Sequence, residues 1–177
     1  MQHANTGRRK LWIAVFVIVG LLAGCGNSAD SRDWKATYFG AYDGKLGGTV
    51  SFIPCYQYEA FPMESYLALS NAGDNSFITL SLPVTARPGT YAFAAAKDDG
   101  PVISVNLDRD GGLIPWVYDD ILSGELTISA YPNQPGQAMT GEFAARLPAL
   151  GNPEAVITVR GSFDFVAGDK WPFDCRQ

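Results

Sequence analysis

Histidine is almost absent from this chain of 177 residues, which contains only His3. Residues 4–177 therefore cannot form a Ser-His-Asp triad, a Cys-His dyad or a zinc site with histidine ligands. Cysteine is scarce as well, with three residues, Cys25, Cys55 and Cys175. The sequence thus excludes the commonest histidine-dependent chemistries before any motif is considered.

Basic residues are fewer than acidic ones, 13 against 18, which gives a net charge of -5. Three of the basic residues, Arg8, Arg9 and Lys10, precede an uncharged apolar run from Leu11 to Leu22. This order is typical of an export signal, and the run is shorter than the roughly 20 residues that span a bilayer. Without these three residues the chain has 10 basic and 18 acidic residues, or -8, which argues against nucleic acid as a partner.

The first cysteine follows the apolar run directly. The sequence Leu22-Ala23-Gly24-Cys25 resembles the lipobox of bacterial lipoproteins at all four positions. The resemblance implies that residues 1–24 are a signal peptide that is removed, and that Cys25 carries a diacylglycerol on its sulfur and an acylated N-terminus. One acyl chain holds a protein only marginally, so two or three chains on Cys25 imply stable attachment to the lipid bilayer.

The stretch from Gly26 to Asp33 is polar and has no apolar periodicity. Together with Cys25 it predicts a lipidated tether, residues 25–33, and its eight residues reach at most about 28 Å. In lipoproteins of enterobacterial type, aspartate after the lipidated cysteine causes retention in the inner membrane, so Gly26 implies the outer membrane. The pair Arg8-Arg9 partly fits a twin-arginine signal, but the apolar run favours the general secretory route.

The two remaining cysteines, Cys55 and Cys175, form an even pair in a domain that is expected to be exported. Such a pair predicts one disulfide bond. In the chain-entropy model it would stabilise the fold by roughly 4 to 5 kcal/mol. Two free thiols are the alternative, and an oxidising compartment disfavours them.

Apolar and polar residues alternate with period two along residues 34–177, and no long helical period appears. The clearest case is Ala155 to Phe165, which places Ile157 and Val159 on one face and Thr158 and Arg160 on the other. The sequence therefore predicts a single all-β domain, an antiparallel β-sandwich or barrel of about 8–10 strands with one disulfide. The other strands, separated by turn signals, are expected at Trp34–Gly40, Gly48–Ile53, Tyr66–Ser70, Ser76–Leu82, Thr90–Ala94, Val102–Leu107, Leu113–Tyr118, Glu125–Ala130 and Glu142–Leu147.

Four short stretches of the second half resemble a β-rich module that recurs in bacterial surface and envelope lipoproteins. They are Gly89-Thr90-Tyr91, Ser123 to Ile128, Thr140 to Phe143 and Val159 to Phe163. The resemblance covers about residues 76–165 and consists of a pattern of strands and turns. It implies the β-rich fold and no active-site residue.

Oxygen-bearing side chains at Asn106, Asp108 and Asp110, followed by Gly111, resemble the start of a calcium-binding loop. Position 12 of such a loop falls on Val117, where a bidentate glutamate belongs. A hairpin with Asp110 and Gly111 in its turn is the favoured alternative. Calcium bound by Asn106, Asp108 and Asp110 is thus the one cofactor that the sequence suggests, and no other cofactor is expected.

The stretch from Phe52 to Tyr66 is rich in aromatic residues and contains two glutamates. Exposed rings beside carboxylates would stack on sugars or hold a peptide, with Tyr56, Tyr58, Phe61 and Tyr66 as the candidate ligand face. The favoured alternative is that these rings pack around Cys55, since aromatic side chains bury large areas.

These features predict a monomeric, membrane-anchored lipoprotein of the bacterial envelope with a non-catalytic binding or assembly role. Its partner would be an envelope protein or a glycan close to the membrane. The alternative is a histidine-free hydrolase that uses two carboxylates on a polysaccharide. Its candidate acids are the pairs Asp98-Asp99, Asp108-Asp110 and Asp119-Asp120, although solvated turns explain such clusters equally well.

Overall fold

The computed structural model describes residues 29–56, 64–93, 100–109, 112–116 and 121–168. These residues form ten strands and no helix, so the expected all-β fold is confirmed, and none of them belongs to a helix long and apolar enough to cross a membrane. The strands are β1 (Ala29–Gly40), β2 (Gly44–Tyr56), β3 (Glu64–Asn71), β4 (Phe77–Pro83), β5 (Gly89–Ala92), β6 (Val102–Arg109), β7 (Gly112–Trp116), β8 (Ser123–Ala130), β9 (Ala138–Ala149) and β10 (Asn152–Val166).

Alternating side chains explain why these segments are strands. Along β4 and β6, every second residue is buried and its neighbours are partly accessible. In β10, Ile157 and Val159 are buried, whereas Arg160 is exposed, as the alternation predicts. Strands β4, β6 and β10 therefore turn an apolar face inward and a more polar face outward, which is the pattern of a half-buried antiparallel sheet.

All strand pairings are antiparallel and belong to one sheet with the order β10-β1-β2-β3-β4-β6-β7-β9-β8-β5. The sheet folds back on itself because β9 also pairs with β10. It is not closed into a barrel. Strands β7 and β8 share one edge of β9, where Trp116 pairs with Ala149 and Ser123 pairs with Arg146. Among the described residues, the ladder between β7 and β9 consists of one residue pair.

The inward faces enclose one hydrophobic core, to which eight of the strands contribute buried residues, while β5 and β7 add the partly buried Tyr91 and Ile114. On β9 and β10 two aromatic rings pack against glycines of the opposite strand, Phe163 against Gly141 and Phe143 against Gly161. A methyl group on Gly141 would come within 2.5 Å of the Phe163 ring. These two positions therefore have no side chain because the neighbouring rings occupy the space.

The sheet has two ends that differ in their connections. The turn end carries residues 41–43, 72–76 and 150–151, which join β1 to β2, β3 to β4, and β9 to β10. The opposite end carries the start of β1, residues 131–137 between β8 and β9, and the end of β10. Strand β1 begins at Ala29, inside the stretch expected as a tether, and its regular pairing with β10 begins at Trp34.

Candidate functional site

Several residues singled out from the sequence lie outside the described ranges. They are Cys25, Tyr58, Phe61, Asp110 and Cys175, together with Asp98, Asp99, Asp119 and Asp120. The backbones of Cys55 and Tyr56 are part of β2, but the structure does not describe their side chains. Lipidation of Cys25 and a disulfide between Cys55 and Cys175 therefore stay predictions.

Two candidate calcium ligands lie on the accessible face of β6. The Oδ2 atom of Asp108 accepts hydrogen bonds from the side chain and the backbone N–H of Asn75, at 2.8 and 3.3 Å. The amide of Asn106 donates to Ser104 Oγ at 3.5 Å. Strands β6 and β7 pair up to Arg109 and Gly112, which agrees with the hairpin alternative. In the described part of the chain, no group of three or more His, Cys, Asp or Glu residues could hold a metal.

The aromatic stretch is divided between the core and the accessible surface. Phe52 packs against the hydrophobic core, with its ring centre 5.9 Å from that of Phe165 and 6.5 Å from that of Tyr131. Tyr66 is half-buried in β3, where it pairs with Ile53 and Ser81. The side chains of Tyr56, Tyr58 and Phe61 lie outside the described residues, so a ligand face formed by these three rings and Tyr66 stays a prediction.

An open groove of about 480 Å³ lies across β1, β8, β9 and β10. Its polar lining residues are Lys35, Ser129, Thr140, Glu142, Ser162 and Asp164, and Trp34, Gly141 and Phe163 also line it. Register explains the grouping, since Lys35 stands opposite Ser162, which in turn stands opposite Glu142. We call the outward surface of β2, β1, β10, β9 and β8 the polar face, and the groove lies on it.

Short polar side chains and the packing beneath them shape this groove. Trp34 and Phe163 are buried on the inner face of β1 and β10, while Lys35, Glu142 and Asp164 are exposed on the outer face. Serine and threonine occupy the positions between the charged residues. The groove therefore offers hydroxyl groups, one ammonium group and two carboxylates over a rigid sheet.

Glu142 and Asp164 are diagonal neighbours on β9 and β10, because Asp164 pairs with Thr140. Diagonal positions in an antiparallel pair lie roughly 7 to 8 Å apart. Two carboxylates of an inverting glycosidase stand at about 6.5 to 9.5 Å. Both side chains here are exposed, whereas the acid of such an enzyme is kept protonated by apolar surroundings. From these positions the two side chains can bring their carboxyl groups to the separation found in such an enzyme, but their exposure does not suit hydrolysis.

Arg109 lies at the turn end among aromatic and carbonyl groups. Its Nη2 donates to the Tyr38 hydroxyl and to the Asp43 carbonyl oxygen, the latter at 3.3 Å. The guanidinium lies 5.6 Å from the ring centre of Tyr38 and 5.9 Å from that of Tyr42. This side chain joins β6 to the turn between β1 and β2, which is a role in holding the fold.

Asp74 shapes the turn between β3 and β4. Its Oδ1 accepts hydrogen bonds from Ser76 N–H at 2.7 Å and from the Asn71 amide at 2.9 Å. Partial desolvation raises the pKa of Asp74, but these hydrogen bonds and the charge of Arg109 outweigh it and lower the pKa below its usual value. The group is thus stabilised as a carboxylate, which is unsuited to donating a proton.

A neutral pair of hydroxyl groups lies at the opposite end. Ser65 is fully buried, donates to the Pro54 carbonyl oxygen at 2.7 Å, and shares a hydrogen bond with the Tyr131 hydroxyl. Burial raises the pKa of Tyr131, against the weaker opposing effect of the Ser65 hydrogen bond. A tyrosine with a raised pKa keeps its proton at neutral pH and cannot take up the proton of a serine, so this pair serves the packing of the core.

Sequence reasoning missed the groove altogether. Its residues come from four strands and form no local motif, so only their membership of polar strand faces was visible. One signal was available, because a glycine inside a strand, such as Gly141, often marks a close approach of another group. Comparisons of the chain with protein-family models, with curated proteins and with solved structures find no match.

Proposed function

We propose that this protein is a lipoprotein of the bacterial envelope, anchored in the outer membrane through acylated Cys25, whose domain binds a glycan without catalysing a reaction. The signal-like residues 1–24 and the sequence from Leu22 to Cys25 support the anchor. The observation that carries the binding role is the groove of the polar face, with its hydroxyl, ammonium and carboxylate groups.

A glycan suits this groove better than a protein does. Sugar hydroxyl groups donate and accept hydrogen bonds, and the side chains of Ser162, Thr140 and Glu142 supply partners of both kinds. Protein interfaces have an apolar core inside a polar rim, and the outward side chains of the groove are polar. Lys35 stands ten residues after Cys25, so the groove lies within about 36 Å of the anchor.

The second candidate is a hydrolase in which Glu142 and Asp164 act as the two carboxylates. Their diagonal placement favours it, because the expected separation fits an inverting mechanism. Their exposure argues against it, because a general acid must keep its proton at neutral pH. We therefore place binding first and hydrolysis second.

The anchor is tested with Cys25→Ala. The wild type should incorporate a labelled fatty acid and sediment with membranes, whereas the variant should take up no label and leave the membrane fraction or stay unprocessed. Label on the variant would refute the lipidation of Cys25.

The groove is tested with Ser162→Tyr, which fills it, in full-length protein purified in detergent. The matched control is Ser104→Tyr, a half-buried serine on β6, away from the groove. Retention of envelope polysaccharides on the immobilised protein should fall in the first variant and persist in the second. Equal retention by both variants would contradict the proposal.

The same preparation separates binding from hydrolysis. We expect the wild type to leave the bound polysaccharide intact, as judged by its size distribution. Shortening of the polysaccharide by the wild type, abolished by Glu142→Gln with Asp164→Asn, would establish the second candidate instead.

A further inference from the structure

Three basic side chains surround one threonine on the polar face, next to the groove. Thr37 of β1 stands opposite Lys45 of β2 on one side and opposite Arg160 of β10 on the other. Lys35 precedes Thr37 by two residues and therefore lies on the same face of β1. All four side chains are exposed.

The register fixes the dimensions of this cluster. Adjacent strands lie about 4.8 Å apart, so Lys45 and Arg160 flank Thr37 at about 10 Å from one another along the sheet. Lys35 is about 7 Å away from Thr37 along β1. Long lysine and arginine side chains bridge such distances, so all three cations can reach a group above Thr37, whose hydroxyl adds a fourth hydrogen-bond donor.

Among the described residues, salt bridges do not neutralise these three cations. In the part of the chain that the structure describes, neither lysine nor Arg160 forms a salt bridge, and Arg160 lies over the Phe39 ring at 6.0 Å. The closest carboxylates by register are Asp164, a diagonal neighbour of Lys35, and Glu142, a diagonal neighbour of Arg160. Asp43 stands two residues before Lys45. In a chain with net charge -5, this is a local concentration of unpaired positive charge.

We infer that the cluster of Lys35, Lys45, Arg160 and Thr37 binds the acidic group of an anionic polysaccharide. The acidic group is a uronate carboxylate or a phosphate ester, and both place negatively charged oxygens where three cations converge. Lys35 also lines the groove, so adjoining sugars of the same chain occupy the groove while the acidic group lies on Thr37. The inference rests on the proposed function and specifies the charge of its ligand.

The experiment uses full-length protein in detergent and calorimetric titration at about 0.15 M salt, where the Debye length is about 8 Å. The probes are polygalacturonate, a phosphorylated mannan and neutral dextran. We expect at least one anionic probe to bind more tightly than dextran, and the probe that binds identifies the acidic group.

The variant Lys35→Gln/Lys45→Gln/Arg160→Gln removes the cluster, and Arg87→Gln, an exposed arginine outside the polar face, is the control. A charge pair at 4 Å in water is worth about fivefold in affinity, so the triple variant should bind about 100-fold more weakly. Thermal melting of both variants should match the wild type, because all the substituted side chains are exposed.

Anionic probes that bind the triple variant as tightly as the wild type, or no more tightly than dextran, would overturn the inference. The proposed function would survive that outcome if Ser162→Tyr still abolished retention of envelope polysaccharide. If Ser162→Tyr still retained envelope polysaccharide and the triple variant still bound the anionic probes as the wild type does, both proposals would be overturned.

Discussion

At the turn end, charged and amide side chains hold the turns, whereas at the opposite end a neutral hydroxyl pair lies among aromatic rings. Asp43 accepts from Gly40 N–H at 3.1 Å, and Asp108 accepts from Asn75, all at exposed positions. The pair of Ser65 and Tyr131 is buried next to Phe52. The two ends of the sheet are thus stabilised by chemically different hydrogen bonds.

This difference separates two ways of stabilising a fold. Exposed hydrogen bonds replace hydrogen bonds to water and contribute little, whereas a buried group that loses its partner incurs the full cost of desolvation. Most of the stability should therefore reside at the opposite end. The turn end sets the geometry of the loops, and the lowered pKa of Asp74 makes it responsive to acid.

The largest effect is expected from Phe165→Ala at the opposite end. Phe165 is 4% exposed and contacts Phe52 and Phe163, so the variant should lose about 3 to 5 kcal/mol of unfolding free energy. Tyr42→Ala is the counterpart at the turn end, where the ring is 37% exposed and its contact with Arg109 is worth about 1 kcal/mol or less. Denaturant unfolding measures both, and equal losses would remove the contrast.

Ser65→Ala should rank second, with a loss of about 1 to 3 kcal/mol. The substitution leaves the Pro54 carbonyl and the Tyr131 hydroxyl without their shared partner. Thr79→Ala is the control, because Thr79 bonds Ser104 at 3.1 Å on the accessible face and should cost less. A loss for Thr79→Ala as large as that for Ser65→Ala would show that burial does not decide the cost.

Tyr131→Phe should change how stability depends on alkaline pH. Since burial raises the pKa of Tyr131 above 10.0, the unfolded chain releases this proton at a lower pH than the folded protein does. The contribution of Tyr131 to the free energy of unfolding is therefore fully present below about pH 10, the pKa in the unfolded chain, and is lost as pH rises through the pKa in the folded protein. Unfolding curves of the wild type and the variant between about pH 8 and 11, the range around tyrosine ionisation at about pH 10, should diverge on the alkaline side. Parallel curves would contradict the assignment.

The smallest effect is expected from Asp74→Asn. It concerns the loss of stability as pH falls, whereas the effect of Tyr131 concerns the loss as pH rises. Because the pKa of Asp74 lies below 3.8 in the folded protein, the unfolded chain takes up the proton first as pH falls. The contribution of Asp74 is present above the unfolded pKa and is lost as pH falls through the folded pKa. The variant should lack this acid loss, in melting curves recorded downward from neutral pH. An unchanged acid slope would mean that other carboxylates set it.

Strand positions were predictable because burial of one face leaves a period of two in the sequence. The segment from Ala155 to Phe165 showed this pattern, and it lies in β10 with the expected residues buried. The sharing of one β9 edge by β7 and β8 was not predictable. It depends on which distant strands meet, and alternation within a strand carries no information on its partners.

The site was less predictable than the fold. Asn106 and Asp108 were candidates for a calcium loop because oxygen side chains alternate there, yet alternation is also what an accessible strand face produces, and both residues lie in β6. The groove is assembled from single residues such as Lys35 and Glu142, which are more than 100 positions apart. Only the register of β1, β10 and β9 brings them together.

The pairing of β1 with β10 also determines when the fold can be completed. Trp34 pairs with Phe163, about 130 residues later in the chain, so the ladder between β1 and β10 cannot form until residues up to Phe163 have been synthesised. Contacts of such long range are slow to form. A nascent chain with this pairing therefore stays without its finished sheet until β10 has been synthesised.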